Sequence, residues 1–197
     1  MTTAPGLLFA VTNTDPAHEA AFNRWYDERH VPQREAMPGF VAARRFEAVN
    51  APYKYLALYD LEGIWAAFTP TYKALFAVPT LSNEDRVMLG RFWGIKRAVM
   101  EQIAVAGHPD AKPAAVGAVM AVALDPEPDR EDEFNDWYST EHIVLGARAP
   151  GVLRVRRFRA IEGEPRYLAL WEFASLEAAQ DPAFVAAIDT PWTKRMQ

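Results

Sequence analysis

The sequence contains no cysteine. That excludes disulfides, thiolate metal centres and thiol catalysis together, and it fits a reducing cytoplasm. Cations are in deficit: 21 Lys and Arg stand against 26 Asp and Glu, a formal net charge of −5. There is no surplus to neutralise phosphates, so nucleic acid is not expected as a partner. Long hydrophobic runs are missing too. The longest, Leu7 to Val11 and Val116 to Leu124, fall far short of the ~20 residues that span a bilayer. The N-terminus lacks the basic segment and apolar stretch of a signal peptide. A cytoplasmic chain without a membrane partner is the expectation. Neither a Gly-rich phosphate loop nor a Gly-x-Ser-x-Gly elbow occurs, and two lone repeated histidines make a poor metal site, so none is expected. What the chain has in quantity is aromatic: 6 Trp, 7 Tyr and 11 Phe.

The placement of those rings reveals a repeat. Phe22-Asn23-Arg24-Trp25-Tyr26-Asp27-Glu28-Arg29-His30 aligns with Phe134-Asn135-Asp136-Trp137-Tyr138-Ser139-Thr140-Glu141-His142 at an offset of 112. Without a gap, Pro38-Gly39 falls on Pro150-Gly151, Arg44-Arg45-Phe46 on Arg156-Arg157-Phe158, and Tyr55-Leu56-Ala57-Leu58 on Tyr167-Leu168-Ala169-Leu170. Rare residues kept in register over so long a stretch read as one pattern written twice.

Each copy reads as strand, helix, strand, strand, helix. Leu7 to Thr12 and Val116 to Leu124 have the length and apolarity of buried strands. Asp15-Pro16 and Glu127-Pro128-Asp129 carry helix-start chemistry. The helix that follows sets Phe22, Trp25, Tyr26 and His30 on one face, as its copy sets Phe134, Trp137, Tyr138 and His142. It is expected to end or bend near Val31, because the residue before a proline is pushed out of the α region. After the Pro-Gly turns come strands over Phe40 to Glu47 and Lys54 to Asp60, and over Val152 to Ala160 and Arg166 to Phe173. Second helices follow around Ile64 to Val78 and Leu176 to Ile188. A strand from about Arg97 to Ala104 completes βαββαβ, the ferredoxin-like order. The expected fold is α+β: a first repeat over residues 1–103, a linker over 104–115, and a second repeat over 116–197 whose last strand would lie past Gln197. Such a sheet is open on the face without helices, so the two sheets are expected to pack face to face as a fused α+β barrel.

Strand alternation assigns side chains to faces. The aliphatic side of the third strand (Leu56 and Leu58, with copies Leu168 and Leu170) suits helix packing. That leaves Tyr55, Tyr59, Tyr167 and Trp171 on the open side. In the second strand Val41 and Ala43 (copies Leu153 and Val155) go to the helices, and Phe40, Arg44, Phe46, Val152, Arg154, Arg156 and Phe158 to the open face. The cavity so formed is aromatic-lined and contains arginines. Buried guanidinium groups need an anion, from a carboxylate of the chain or from a ligand. Whether Arg44 or Arg45 turns inward depends on one residue of register.

His30 and His142 are the histidines that repeat. They are either core-edge residues or proton carriers at a cavity mouth. Tyr26, Tyr138, Tyr55 and Tyr167 are either packing residues or donors to a developing oxyanion. Asn23 and Asn135, disfavoured inside a helix, suggest side-chain caps.

With Trp-Tyr-x-x-x-His followed by Pro-Gly and Arg-Arg-Phe, the chain resembles the dimeric α+β barrel superfamily, most of all its EthD-like and muconolactone-isomerase-like branches in tandem form. The resemblance implies metal-free and cofactor-free chemistry on small cyclic or aromatic compounds, while haem-binding relatives keep a His-ligated haem open. It places the helix-end histidine on His30 and His142. Val144 in place of Pro32, and Thr140 in place of Glu28, suggest an altered second site. The function expected is a cofactor-independent lyase or isomerase for a small aromatic or lactone-like carboxylate in a catabolic pathway. His30 or His142 would shuttle protons, with Tyr26 and Tyr138 beside them. Arg44, Arg156 and Arg154 would clamp the carboxylate between walls of Tyr55, Tyr59, Tyr167, Trp171, Phe46, Phe158, Trp25 and Trp137. A binding module for a hydrophobic metabolite and a haem-binding or cofactor-free monooxygenase are the alternatives. The partner expected is a small-molecule substrate, with pairing of outer helices into a homodimer left open.

Overall fold

A computed structural model describes residues 4–77, 80–108, 112 and 115–196. The first apolar run becomes β1 (Gly6–Thr14), and Asp15 closes it by accepting the backbone N–H of Ala17 at 2.9 Å, which starts a 3₁₀ turn at Pro16–His18. The signature helix is broken into three pieces: α1 (Glu19–Trp25), a π-helical turn (Tyr26–His30) and α2 (Val31–Glu35). The end or bend expected near Val31 is a π turn closed at Val31, after which the helix continues. Pro32 sits in the first turn of α2, where its missing N–H costs nothing. Gly39, at φ +83°, takes the left-handed conformation that ends the Pro-Gly turn. β2 (Phe40–Glu47) and β3 (Tyr55–Leu61) follow.

The long second helix is also corrected. Its span holds a 3₁₀ segment (Ile64–Phe68) and α3 (Pro70–Ala74), capped by Thr69; the predicted end at Val78 lies outside the described residues. α4 (Asn83–Leu89) opens on a Ser82/Asp85 capping box. β4 (Phe92–Gly107) runs at both ends past the Arg97 to Ala104 expected, and so takes in the first part of the presumed linker. Of that linker, residues 109–111, 113 and 114 lie outside the described residues. The second copy gives β5 (Ala118–Leu124), a 3₁₀ turn (Pro128–Arg130), α5 (Glu131–Trp137), a second π turn (Tyr138–His142), α6 (Ile143–Gly146), β6 (Val152–Gly163), β7 (Tyr167–Phe173), α7 (Leu176–Ala179), α8 (Pro182–Ile188) and α9 (Pro191–Met196).

The chain forms two compact units. The first runs to Glu101 and adds Ile161–Glu164; the second holds Gln102–Ala160 and the chain from Pro165 onward. In the first, the antiparallel order is β2-β3-β1-β4, the ferredoxin-like arrangement, and Glu164 N–H donates to Arg97 C=O at the outer side of β4. In the second, β6-β7-β5 repeats the order of β2-β3-β1. The end of β4 lies beside β6 there, with His108 N–H donating to Leu153 C=O at 2.8 Å.

The face assignment made from β3 is reversed. Tyr55, Ala57, Tyr59 and Leu61 lie beneath the helices, packed with Phe22, Trp25, Tyr26 and Tyr72; in the second unit Ala169, Trp171 and Phe173 pack with Phe134, Trp137 and Tyr138. The reason is the helix itself. Its sheet-facing stripe is aromatic, and rings packed edge to face bury more surface with better electrostatics than rings on Leu. The other face carries Leu56, Leu58, Arg44, Phe46 and Asp60, and in the copy Leu168, Leu170, Arg156, Phe158 and Glu172. Bulges between Phe40 and Ala42 and between Val152 and Arg154 shift the start of the strand, so Phe40 and Val152 belong to the helix side rather than the open one. Val41 is exposed. No helix among the described residues is long and apolar enough to cross a membrane.

Candidate functional site

The two π turns position the signature side chains. Residues five apart on an α-helix point about 140° away from each other. The wider turn, closed by Val31 N–H to Tyr26 C=O and by Ile143 N–H to Tyr138 C=O, brings them onto one side. The His30 ring then lies 4.6 Å from Trp25 and 4.4 Å from Tyr26, and the His142 ring 4.5 Å from Trp137 and 4.7 Å from Tyr138. Both copies keep the turn although one has Pro32 and the other Val144, so proline does not cause it. Such turns recur at functional sites.

Both histidines are buried, at 7% and 8% exposure. Burial, reinforced by the Arg34 guanidinium, lowers His30 to about 2. Burial lowers His142 to about 4, with Glu141 opposing and Arg157 assisting. Both are neutral imidazoles at neutral pH. Arg34 donates to the His30 carbonyl at 2.8 Å, and Thr193 Oγ lies 3.4 Å from His142 Nδ1. Tyr138 is pushed up to about 12 by burial, so it remains a protonated donor.

A guanidinium backs each cage. Arg45 lies 4.1 Å over the Tyr26 ring and donates to Asn23 Oδ1 at 2.8 Å and Asp27 at 2.5 Å. Arg157 lies 4.5 Å over Tyr138 and donates to Asn135 Oδ1 at 2.9 Å and Ser139 Oγ at 2.6 Å. Asn23 and Asn135 are thus not loop caps. Each accepts from this arginine and donates to the hydroxyl of Tyr55 or Tyr167, which in turn donates to Glu19 or Glu131.

The copies part company at the rim. In the first unit Trp25 Nε1 donates to Asp85 at 3.0 Å, and Arg29 grips the same carboxylate at 2.7 and 2.8 Å. In the second, Trp137 Nε1 is buried with no acceptor among the described residues. The residue at the matching offset, Gln197, lies outside them. Here a cavity of about 440 Å³ opens, floored by Met120, Val122 and Leu124 of β5. Phe134, Trp137, Tyr138, His142 and Trp171 wall it, and Ile188 and Met196 lie at its edge. That volume suits a small ligand, and the lining is apolar but for the imidazole and the tips of Tyr138 and the tryptophans. A cleft of similar size in the first unit runs past Trp25, Arg29 and Met88; its lining includes neither His30 nor Tyr26.

Of the residues picked from sequence, the structure brings Trp137, Tyr138, His142 and Trp171 together on one cavity. Trp25, Tyr26, His30 and Tyr59 form the corresponding cluster of the first unit, Tyr59 hydroxyl donating to Tyr26 at 3.3 Å. Tyr55 and Tyr167 serve the asparagine network instead. The proposed carboxylate clamp is corrected: Arg44 pairs with Asp60 at 2.9 Å, and Arg154 and Arg156 with the fully buried Glu172 at 2.5 and 2.9 Å. These arginines, with Phe46 and Phe158, lie on the sheet face opposite the rings, so they do not share a site with them. Sequence reasoning missed Arg45 and Arg157 as the helix-side arginines. The available signal was Ala43, already assigned there, since Arg45 lies two residues on.

No family model and no curated protein matches this chain. Solved structures do. An anthrone oxidase-like protein is 12% identical, with TM-score 0.68, over 98% of this chain and 86% of that one. A candidate monooxygenase from Fusobacterium nucleatum is 13% identical, with TM-score 0.66, over 100% and 88%. Chlorite dismutase from Candidatus Nitrospira defluvii is 9% identical, with TM-score 0.59, over 100% and 87%. These neighbours are ferredoxin-like α+β barrel proteins, and at such identities they establish the fold. The expectation of a cofactor-free lyase or isomerase is corrected by their names, which point to oxidoreductase-type chemistry.

Proposed function

We propose that the chain is an oxidoreductase-type enzyme whose second unit is the working half of a module written twice, and that it oxidises a small, flat, largely apolar aromatic compound with dioxygen. The observation that carries this reading is the aromatic cage around the second-unit cavity, with one neutral imidazole in its wall. Phe134, Trp137, Tyr138 and Trp171 offer ring faces and edges to a flat substrate. Neutral His142 takes the proton from an acidic carbon or hydroxyl, and the protonated Tyr138 hydroxyl donates to the oxygen on which charge collects. The names of the structural neighbours, oxidase-like and monooxygenase, favour the same class.

The redox balance needs only dioxygen. An acidic methylene loses two C–H bonds, one oxygen atom becomes its carbonyl and the other leaves as water. Anthrone, with such a methylene, is the test compound. Oxygen uptake of one O₂ per anthrone, with formation of the quinone, is expected in the absence of added cofactor, and His142→Ala should reduce it by about 10²-fold. Oxidation no faster than in buffer, or an unimpaired His142→Ala, overturns the proposal.

Haem does not fit the donor set here. His142 is the one imidazole on the cavity among the described residues, its ring is hemmed by Trp137, Tyr138 and Trp171 at 4.5, 4.7 and 5.7 Å, and no Lys or Arg lines the cavity to meet haem carboxylates.

A further inference from the structure

Beside the His142 ring, on residues that do not line the cavity, stands a row of hydroxyls ending on a carboxylate. Thr193 is buried and sets its Oγ 3.4 Å from His142 Nδ1. The Thr193 and Thr190 hydroxyl oxygens lie 3.1 Å apart, and Thr190 donates to Glu141 Oε1 at 2.6 Å. Thr193 N–H also donates to Thr190 Oγ at 3.0 Å, which ties the two threonines together at the start of α9. Counting protons gives the row a direction. A carboxylate only accepts, and a hydroxyl has one proton to give. Thr190 gives its proton to Glu141, so its oxygen accepts from Thr193. Thr193 gives its own to Thr190, so its oxygen accepts from the imidazole. His142 therefore carries its proton on Nδ1, and Nε2 holds the lone pair. The contact at the ring is long, as catalytic hydrogen bonds often are before a substrate enters.

We infer that Glu141, Thr190 and Thr193 are positioning residues for His142: they fix the tautomer that makes Nε2 the base, and they hold a negative charge behind the ring. The inference rests on the second-unit cavity being the reaction site, as proposed above. In the step itself the substrate C–H proton passes to Nε2, the electron pair stays on carbon, and the imidazolium so formed keeps its Nδ1–H on Thr193. A carboxylate two hydroxyls away then favours the charged ring, the part an orienting carboxylate plays when it touches a catalytic histidine directly. Glu141 is the group that works against burial in setting the basicity of His142. The repeat assigns this row to the second copy. The offset of 112 still holds here, with the caps Thr69-Pro70 on Asp181-Pro182 and Pro79 on Pro191. Yet Thr190, Thr193 and Glu141 stand where the first copy has Val78, Leu81 and Arg29. Neither Val nor Leu can pass a hydrogen bond, and Arg29 is a donor held by Asp85.

Long-range ¹H–¹⁵N correlation spectra of the full chain, labelled with ¹⁵N-histidine and held at pH 7, read the tautomer; His142→Phe assigns the signal. The unsubstituted chain is expected to show the Nδ1–H form. Thr193→Val keeps the shape and removes the hydroxyl, so it is expected to lose that preference, and Thr193→Ser to keep it. In oxygen uptake with anthrone, Thr193→Val should lower kcat about tenfold at unchanged KM, a part of the ~10² the base supplies, and Thr193→Ser should restore it. An Nε2–H signal in the unsubstituted chain, or a Thr193→Val chain with unchanged tautomer or unchanged kcat, overturns the inference and leaves the oxidation reading to the His142→Ala test. Anthrone left untouched by a chain whose tautomer responds as expected overturns the oxidation reading and not the positioning. Should Thr193→Val not fold, Thr190→Val decides: it frees the Thr193 proton for Nδ1, so the signal is expected to switch to the Nε2–H form, and an unswitched signal overturns the inference.

Discussion

Lowering the pH from 7 to 5 titrates histidine while leaving most carboxylates ionised, and in this protein it acts on two buried imidazoles. In the folded chain His30 is lowered to about 2 and His142 to about 4, chiefly by burial. In the unfolded chain both titrate near 6.5. Between those values the unfolded state binds more protons, so stability is full above pH ~6.5 and falls as the pH drops below it. At pH 5 the unfolded histidines lie about 1.5 pH units below their pKa, worth roughly 2 kcal/mol each and about 4 kcal/mol together at 1.36 kcal/mol per unit. With a urea m-value of roughly 2 kcal/mol/M, the midpoint should fall by about 2 M. Equilibrium urea unfolding at pH 7 and 5 measures it, and His30→Phe/His142→Phe is the control, expected to show a much smaller shift. A midpoint unchanged between the two pH values, or a double variant just as acid-sensitive, refutes the claim that these rings are buried and neutral.

Three further outcomes are expected. Arg157→Met strips Asn135 and Ser139 of their donor and Tyr138 of its cation; it should cost about 2–4 kcal/mol in urea unfolding, and a loss below 1 kcal/mol would contradict the network. Asp85→Asn should cost about 1–3 kcal/mol, because that carboxylate accepts from Trp25, Arg29 and Ser82. Arg29 is the main cause of its lowered pKa, so the contribution is present above about pH 4 and fades below it. Gly146→Ala would put a methyl within 2.4 Å of the Trp171 ring; a thermal scan should show about 1–3 kcal/mol of destabilisation with altered tryptophan fluorescence, and a neutral effect would mean that ring is not held where described.

The ferredoxin-like strands were readable because they rest on residues that cannot easily be something else. A Trp-Tyr-x-x-x-His helix and Pro-Gly turns at a constant offset placed β2 on its observed bounds and most other strands within a few residues. Two things were not readable. Alternation says which side chains share a face but not which face meets the helices, and that choice was made from Leu56 and Leu58 when the ring-rich helix stripe would have argued for Tyr55 and Tyr59. The bulge at the start of β2 then moved Phe40 across the sheet without any sequence mark. The cavity was half legible: His142, Trp137, Tyr138 and Trp171 were named. Met120, Val122 and Leu124 were not, since a floor of aliphatic residues looks like any other buried strand.

The π turns have a consequence for how this segment can vary. Between Tyr26 and His30 stand Asp27, Glu28 and Arg29; between Tyr138 and His142 stand Ser139, Thr140 and Glu141. No position agrees in identity, yet the number of spacer residues is three in both. The spacer side chains take different partners in the two copies, Asp27 with Arg45 and Arg29 with Asp85 in one, Ser139 with Arg157 and Glu141 with Thr190 in the other. An insertion or deletion would rewind the turn and swing the imidazole out of register with the tryptophan. The spacer differs in chemistry between the copies and agrees in length.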